Sequence, residues 1–250
     1  MKKFGLIGYP LEHSFSKKYF SEKFTKENIT DCTYDNYPLE DIHMLPALIS
    51  SEPNLSGLNV TIPHKSLVIS YLDHIDPEAS QIGAVNVIKI KRSGAAINLS
   101  GFNSDIFGIT ETLASLPVSS FKQALVLGTG GSSKAVCHVL GKINVPYTLI
   151  SRSPKPGCMT YRELTPGLMA DTGLIINTTP LGMYPQIAGK PEIRYDLLNH
   201  NHILFDLVYN PEITEFLRLG QERGCRVLTG IRMLYSQAWK SWEIWNDDNY

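Results

Sequence analysis

The sequence predicts an α/β protein with two domains, the first built on a mixed sheet and the second on a doubly wound parallel sheet. Apolar runs of strand length alternate with amphipathic segments of helical period along most of the chain. A hairpin pattern around Ser93-Gly94 interrupts that alternation in the first half only. With 250 residues, 43% of them hydrophobic, the chain is long enough to form two cores.

The first half combines alternating strands and helices with one hairpin. Strands are predicted over 3–8, 32–37 and 58–62, helices over 14–27, 40–49 and 66–72, and hairpin strands over 85–91 and 95–99. In the first helix, Phe15, Tyr19, Phe20 and Phe24 fall on one face. Because the hairpin adds antiparallel strands to a βαβαβ unit, the sheet is predicted to be mixed.

The second half keeps a regular alternation. Strands are predicted over 124–127, 147–150, 174–177, 203–208 and 226–228, after a linking helix over 105–114. Helical segments between several of them imply a parallel sheet covered by helices. The last segment, 231–245, is amphipathic and is expected to pack back on the first domain. We predict a first domain over 1–103 joined by the helix 236–250, and a second domain over 104–235.

A glycine turn follows the strand over 124–127. Gly128, Gly130 and Gly131 permit a tight turn and a close backbone approach, and the following helix directs N–H groups and its positive dipole end at an anion. The third small position of the G-x-G-x-x-G/A pattern falls on Ser133, which is small enough for close packing. The pattern indicates a Rossmann-type dinucleotide site, and a glycine-rich turn without a ligand is the alternative.

The residues that follow the strand predicted over 147–150 indicate whether the dinucleotide is NAD or NADP. NAD-binding units place an acid about twenty residues after the glycines, whereas an arginine there accommodates the 2′-phosphate of NADP. This chain has Ser151-Arg152-Ser153 at that point, with Lys155 as a second positive charge. The sequence therefore predicts NADP as the cofactor.

Charge, targeting and cysteine patterns exclude other classes. A net charge of −1 provides no basic surface for nucleic acid. No signal peptide or membrane-length apolar segment is evident, so a cytoplasmic protein without membrane attachment is expected. Cys32, Cys137, Cys158 and Cys225 lie far apart, which predicts neither a metal site nor a redox motif.

Four polar clusters in the first half lie at predicted strand ends or helix starts. They cover residues 8–16, 59–65, 83–86 and 101–105. The carboxyl ends of strands line the ligand crevice of an open α/β sheet. Hydroxyls, amides, a lysine and a carboxylate converging there suit a small, hydroxylated, acidic substrate.

Three further motifs follow in the second half: NTTPLGM over 177–183, DLVYNP over 206–211 and GIRMLYSQA over 230–238. Together with the four clusters and the glycine turn, they strongly resemble the shikimate dehydrogenases over almost the whole chain. The resemblance implies an N-terminal mixed-sheet α/β substrate domain and a C-terminal Rossmann-type, doubly wound dinucleotide-binding domain. It also implies the reversible NADPH-dependent reduction of 3-dehydroshikimate to shikimate, in chorismate and aromatic amino-acid biosynthesis. A monomer or a homodimer is expected.

The resemblance assigns roles residue by residue. Lys65 and Asp105 match the catalytic pair and also contact substrate. The other substrate residues are Ser14 and Ser16 for the carboxylate, Tyr209 near it, and Asn59, Thr61, Asn86 and Gln237 for the ring hydroxyls and carbonyl. The cofactor residues are Gly128, Gly130, Gly131, Ser132, Ser151, Arg152, Ser153, Lys155, Thr178, Met183, Leu207, Gly230 and Met233.

The chain departs from the family pattern at two positions, and two other functions are alternatives to a shikimate dehydrogenase. Lys17 stands where the family usually has proline, and Lys155 stands for a second arginine, which predicts a softer preference for NADP. A quinate/shikimate dehydrogenase using NAD or both cofactors is one alternative, against which Ser14 and Arg152 argue. The other is an NADP-binding regulatory protein without turnover, against which Lys65 and Asp105 argue.

Overall fold

The computed structural model describes residues 1–12, 14–94, 96–117 and 121–248, so His13 of the first polar cluster lies outside the described residues. The chain divides into two compact units, which we call unit 1 (Met1–Ser104 with Ala238–Tyr250) and unit 2 (Asp105–Gln237). Within the described residues, none of the helices has the length and apolar character needed to cross a bilayer.

The strands are β1 (Lys2–Gly8), β2 (Cys32–Pro38), β3 (Leu55–Val60), β4 (His74–Ile75), β5 (Val87–Ser93), β6 (Ala96–Phe102), β7 (Gln123–Leu127), β8 (Tyr147–Ser151), β9 (Met159–Thr160), β10 (Thr172–Asn177), β11 (Ile203–Asp206) and β12 (Arg226–Leu228). The helices are α1 (Ser16–Lys26), α2 (Leu45–Ser51), α3 (Pro77–Ile82), α4 (Asp105–Leu113), α5 (Gly131–Lys142), α6 (Pro166–Asp171), α7 (Glu215–Glu222) and α8 (Ile231–Asn246). Short 3₁₀ helices lie at Ile42–Met44, Leu67–Tyr71, Tyr161–Glu163 and Tyr195–Leu197.

Unit 1 contains a mixed sheet with the strand order β2-β1-β3-β5-β6-β4. Strands β1, β2 and β3 run parallel, β5 is antiparallel to both β3 and β6, and β4 is parallel to β6. Side chains alternate across β1, so Phe4 belongs to the core cluster with α1 and α8 while Ile7 belongs to the cluster with α2 and α3. The sheet of unit 1 is therefore packed on both faces.

The second half of α8 packs into unit 1 through its tryptophans. The ring of Trp245 stacks on Phe4 with centroids 4.8 Å apart, and its Nε1 donates to the backbone oxygen of Ile88 at 3.0 Å. A Cβ on Gly57 would lie 2.7 Å from Cε2 of Trp245, so this close approach requires glycine. The carboxyl-terminal helix thereby covers the strands that carry the first-half polar clusters.

Unit 2 contains a sheet with the order β12-β11-β10-β7-β8-β9, and its strand pairs are parallel. From β7 the chain moves outward through β8 to β9, then returns to β10 on the other side of β7 and continues to β12. The direction of winding therefore reverses between β7 and β10, where doubly wound sheets bind ligands at the carboxyl ends of their strands.

The observed architecture confirms the predicted fold class and adds short elements that the sequence analysis omitted. Strands β4 and β9 have two residues each, too few to show a periodicity. Helix α3 carries clear end signals, because the Asp76 side chain accepts from two first-turn N–H groups, Pro77 occupies the first turn and Gly83 ends the helix at φ +65°. The helix predicted over 66–72 is a 3₁₀ helix over Leu67–Tyr71.

Candidate active site

The glycine turn of unit 2 lies at the point where the sheet reverses its winding. Gly128 adopts φ +111°, and a Cβ there would lie 2.7 Å from Oγ1 of Thr178 and 3.0 Å from Cγ2 of Thr179. Thr178 donates to the backbone oxygen of Leu127 from its N–H at 3.0 Å and from its hydroxyl at 2.6 Å. Only glycine fits where the ends of β7 and β10 approach so closely.

Helix α5 begins directly after this turn and is tied to it by a buried serine. Ser133 is 1% exposed, and its hydroxyl donates to the backbone oxygen of Gly128 at 2.7 Å. The third small position of the glycine pattern is thus occupied by a side chain that fixes the turn. Because the first turn of a helix has N–H groups without intrahelical acceptors, a phosphate is favoured at this end.

A positive charge lies beside the same turn. Nζ of Lys155 donates to Oγ1 of Thr129 at 2.9 Å, which places the ammonium next to the glycines. Strand β8 ends at buried Ser151, and Arg152 and Ser153 follow it on the surface. A turn without room for a Cβ at Gly128, a helix amino terminus and basic side chains together fit the phosphates of a dinucleotide.

A buried carboxylate holds the loops that follow β10 and β11. Oδ1 of Asp206 accepts from Nδ2 of Asn177 at 3.0 Å and from the N–H of Val208 at 2.9 Å, while Oδ2 accepts from the hydroxyl of Thr214 at 2.6 Å. Oδ1 of Asn177 in turn accepts from the N–H and hydroxyl of Thr179. Burial raises the pKa of Asp206 to about 6, although these three donors pull it down.

The cofactor residues predicted after β10 do not all lie in one place. Leu207 and Gly230 are in contact, since a Cβ on Gly230 would lie 2.5 Å from the backbone oxygen of Leu207, and the N–H of Leu207 donates to Asn177 at 3.0 Å. Met183 is 41% exposed on a loop. Met233 is buried, and a Cβ on Gly108 of α4 would lie 2.9 Å from its Cγ. The cofactor roles of both methionines stay predictions.

In unit 1 the two predicted carboxylate-binding serines lie at the start of α1. Oγ of Ser14 accepts from the N–H of Ser16, the first residue of the helix, at 3.3 Å. No acidic side chain occupies the first turn, so this helix end suits an external anion. Lys17 pairs with Asp35 at 2.8 Å, both side chains being about half exposed, and thus points its charge at the edge strand β2.

The loop that carries Thr61 and Lys65 follows β3 and is anchored at several points. The N–H of Thr61 donates to the backbone oxygen of Ile7 at 2.9 Å, and the backbone oxygen of Lys65 accepts from the N–H of Val85 at 2.7 Å. Between them His64, 1% exposed, donates from Nε2 to the backbone oxygen of Leu39 at 2.7 Å. The backbone beneath the partly exposed side chain of Lys65 is therefore fixed on both sides.

The amides of Asn59 and Asn86 lie in one buried hydrogen-bonded cluster of unit 1. Nδ2 of Asn59 donates to the backbone oxygen of Asn86 at 3.3 Å, and Nδ2 of Asn86 donates to the hydroxyl of Ser104 at 3.0 Å. Both asparagines are less than 9% exposed. Their donors and acceptors are fixed by the fold before any substrate binds.

The remaining predicted substrate residues belong to unit 2. Asp105 is the first residue of α4 and is 4% exposed. Nε2 of Gln237 donates to the backbone oxygen of Leu234 at 3.1 Å within α8, and Tyr209 is partly exposed after β11. The two catalytic candidates thus come from different units, Lys65 from unit 1 and Asp105 from the start of unit 2.

Sequence reasoning missed four polar residues that hold these clusters together, namely Tyr34, Ser104, Ser241 and Asp206. Ser104 and Asp206 were recognised only as members of motifs. Ser241 offered a signal, because it is a polar residue at helical spacing from Ala238 and Trp245 on a face expected to be apolar. Tyr34, on a predicted strand, offered none.

Unit 2 is doubly wound and carries a glycine turn with basic side chains. Unit 1 of the same chain is rich in hydroxyls and amides and carries a lysine. This combination defines a two-domain dinucleotide-dependent oxidoreductase.

Residues 6–88 match the family model of the shikimate dehydrogenase substrate binding domain. The NADP(+)-dependent shikimate dehydrogenase of Methanococcus aeolicus is 36% identical over 98% of this chain and 91% of its own length. The NADP(+)-dependent shikimate dehydrogenase of Clostridium beijerinckii is 37% identical over 99% of this chain and 93% of its own length.

A solved structure agrees over the same length. Shikimate 5-dehydrogenase from Thermus thermophilus, in complex with NADP(H) and shikimate, matches with a TM-score of 0.84 and 27% identity, over 98% of this chain and 94% of that one. The chain belongs to the shikimate dehydrogenase family. The family predicted from the sequence motifs is confirmed.

Proposed function

We propose that this chain is an NADP-dependent shikimate dehydrogenase that catalyses the reversible reduction of 3-dehydroshikimate to shikimate. The observation that carries the proposal is 36% identity to a shikimate dehydrogenase (NADP(+)) over 98% of the chain. Because the similarity extends across both units, it covers the residues of the substrate side as well as those of the cofactor side. The reaction places the enzyme in chorismate and aromatic amino-acid biosynthesis.

On the cofactor side, unit 2 supports binding of NADP through its glycine turn. The backbone of Gly128, Gly130, Gly131 and Ser132 receives the pyrophosphate, and Lys155, which bonds Thr129 at 2.9 Å, adds a positive charge there. Arg152, flanked by Ser151 and Ser153, pairs with the 2′-phosphate. Thr178, Met183, Leu207, Gly230 and Met233 serve the nicotinamide half. When bound, NADPH supplies the hydride that reduces the ketone.

On the substrate side, the anchored loop that carries Lys65 supports the proton transfer. Lys65 donates a proton to the oxygen of the ketone as it becomes a hydroxyl, and accepts that proton in the reverse direction. Its anchored backbone fixes the point from which this side chain extends. Asp105 supplies a carboxylate acceptor for a substrate hydroxyl and completes the catalytic pair.

The other substrate contacts follow from the chemistry of each group. Ser14 and Ser16, at the amino terminus of α1, bind the substrate carboxylate, and Tyr209 lies near it. The ring hydroxyls and carbonyl are bound by amides and a further hydroxyl, supplied by Asn59, Thr61, Asn86 and Gln237. Such neutral groups match hydroxyls without repelling an anion.

We further propose that 1–103 with 236–250 form the substrate domain and that 104–235 form the NADP domain. The division of the chain at Ser104 and Ala238 supports these limits. We propose a cytoplasmic enzyme that acts on small molecules as a monomer or homodimer, and the net charge of −1 provides no basic surface for nucleic acid. Light scattering of the purified chain distinguishes the two oligomeric states.

A cofactor and substrate panel tests the proposal. NADPH oxidation is followed with 3-dehydroshikimate and with 3-dehydroquinate, and both are repeated with NADH. We expect the first combination to give the highest kcat/KM. Comparable rates with the quinate-side substrate or with NADH would favour a quinate/shikimate dehydrogenase. Tight NADPH binding without any turnover would favour a regulatory protein and contradict the proposal.

A further inference from the structure

A chain of buried side chains connects the two substrate asparagines of unit 1 to α8. We call it the amide–serine chain, and each of its members is less than 9% exposed. Its members are Tyr34, Asn59, Asn86, Ser104 and Ser241. The hydroxyl of Ser241, which is 0% exposed, lies 2.9 Å from Nδ2 of Asn59 and 3.1 Å from the hydroxyl of Ser104. The carboxyl-terminal helix therefore contributes the central link of a cluster whose other members come from the sheet and its loops.

The amide of Asn59 can adopt only one orientation. Its Nδ2 faces the backbone oxygen of Asn86, which only accepts hydrogen bonds, so the NH₂ group must point there. The second N–H donates to Ser241 and Oδ1 accepts from the hydroxyl of Tyr34 at 2.9 Å. With both N–H groups used, Asn59 has only a lone pair of Oδ1 left and can serve a substrate hydroxyl as an acceptor.

The amide of Asn86 is oriented in the same way. Its Oδ1 accepts from the N–H of Ser104 at 2.7 Å, and a backbone N–H can only donate. Its Nδ2 donates to the hydroxyl of Ser104. Because that hydroxyl contacts Ser241, the orientations of Asn59 and Asn86 are coupled through the pair Ser104 and Ser241.

Tyr34 fixes the far end of the chain. Its ring stacks on Phe20 with centroids 4.4 Å apart and an interplanar angle of 13°, so its hydroxyl has little freedom to turn away from Asn59. A rigid aromatic ring at one end and a helix residue at the other leave the two amides little room to rotate.

We infer that Ser241 is a positioning residue that holds Asn59 and, through Ser104, Asn86 in the orientations that they present to the substrate. The inference rests on the proposed function, in which these amides contact the ring hydroxyls and carbonyl. Ser241 is fully buried, so any effect on the substrate is transmitted through the residues that it contacts, among them Asn59 and Ser104. Removing its hydroxyl leaves one N–H of Asn59 without its acceptor, so the amide is held only by its bonds to the backbone oxygen of Asn86 and the hydroxyl of Tyr34 and is positioned less tightly.

The kinetic test compares S241A with T172V. We expect S241A to raise KM for 3-dehydroshikimate about tenfold, the effect of one lost hydrogen bond, with kcat and KM for NADPH changed less than about twofold. Thr172 is 2% exposed and donates to Leu168 within unit 2, so T172V also removes a buried hydroxyl, but one at the start of β10, away from the site. T172V should lower Tm without changing the KM for 3-dehydroshikimate.

A double-mutant cycle tests the coupling through Ser104. If the two serines act through one chain, S104A and S241A together should raise KM no more than the larger single effect. Additive effects would contradict a shared chain. An unchanged KM in S241A, with a loss of Tm like that of T172V, would reduce Ser241 to a structural role and overturn the inference.

A spectroscopic measurement tests the chain without any turnover. The side-chain NH₂ signals of Asn59 and Asn86, assigned with N59D and N86D, should both shift in S241A and stay in place in T172V. A shift at Asn59 alone would refute the coupling. Failure of the proposed function would instead appear as an unmodified chain that does not reduce 3-dehydroshikimate, so the two failures are distinguishable.

Discussion

Each unit buries a polar cluster near the carboxyl ends of its strands, but the two clusters differ in charge. In unit 1 the cluster consists of amides and hydroxyls centred on Asn59 and Ser241. In unit 2 it is centred on the carboxyl group of Asp206, which accepts from Asn177, Val208 and Thr214. The first cluster orients groups for a proposed anionic substrate, and the second holds the loops that carry Thr178 and Leu207.

The difference relates the charge of each cluster to its task, which is to orient substrate-binding groups in unit 1 and to hold loops together in unit 2. Neutral dipoles can bind ring hydroxyls without repelling the carboxylate that the same substrate carries. A buried carboxyl group costs desolvation, but it accepts several hydrogen bonds at once and so joins separate loops. We therefore expect mutations in the cluster around Asn59 and Ser241 to change substrate kinetics, and mutations in the cluster around Asp206 to change stability and pH dependence.

The largest expected effect belongs to Lys65. K65A removes the proposed proton donor of unit 1, so kcat should fall about 10²- to 10⁴-fold while the affinity for NADPH, a unit 2 property, stays unchanged. Stopped-flow NADPH oxidation and calorimetric titration of shikimate and NADPH measure both. Near-normal reduction by this variant would remove Lys65 from the mechanism.

Asp206 carries the next largest effect, and it is an effect on stability. D206A leaves the N–H groups of Asn177 and Val208 and the hydroxyl of Thr214 without their acceptor in a fully buried place. We expect the free energy of unfolding to fall by about 3 kcal/mol, and by less in D206N, whose remaining oxygen still accepts from two donors. Urea unfolding measures both variants. Equal losses would show that the hydrogen bonds of Asp206 do not determine the effect.

A smaller effect is expected at Arg152. R152A should weaken NADP(H) about thirtyfold, the loss of one charge-assisted contact of about 2 kcal/mol, and should change NAD(H) much less. The matched control is R162A, which removes the same charge from an exposed position on the 3₁₀ helix Tyr161–Glu163. Fluorescence titration of the wild type and both variants with each cofactor gives the six affinities. Equal weakening for both cofactors would show that Arg152 does not read the 2′-phosphate.

The sequence predicted the parts of the fold that show a strand or helix periodicity or a known motif. The alternation of strands and helices predicted both sheets, and the glycine turn at Gly128 lies where the winding of the second sheet reverses. Strand β4 has two residues and shows no period. Helix α3 did carry signals, Asp76-Pro77 at its start and Gly83 at its end, but they were not recognised.

The supporting residues of the site were beyond motif reasoning for a physical reason. A motif records residues close in sequence, whereas Asn59 and Ser241 are 182 positions apart and meet only through the tertiary fold. Ser241 could have been questioned, because a serine among buried apolar positions of a helix needs a partner. Nothing in the sequence indicated which strand would supply that partner.

The smallest expected effect is a pH dependence that distinguishes the two clusters. Burial raises the pKa of Asp206 to about 6 from the ordinary value of 3.8, so between these values the folded chain binds more protons than the unfolded one. The stability that Asp206 contributes therefore falls as pH rises through this range. Relative to D206N, the wild type should lose about 1 kcal/mol of unfolding free energy between pH 5 and pH 7. S241A removes no ionisable group, so its difference from the wild type should be constant over the same range. A constant difference for D206N as well would mean that the cluster of unit 2 stays in one charge state and that the two clusters do not differ in this respect.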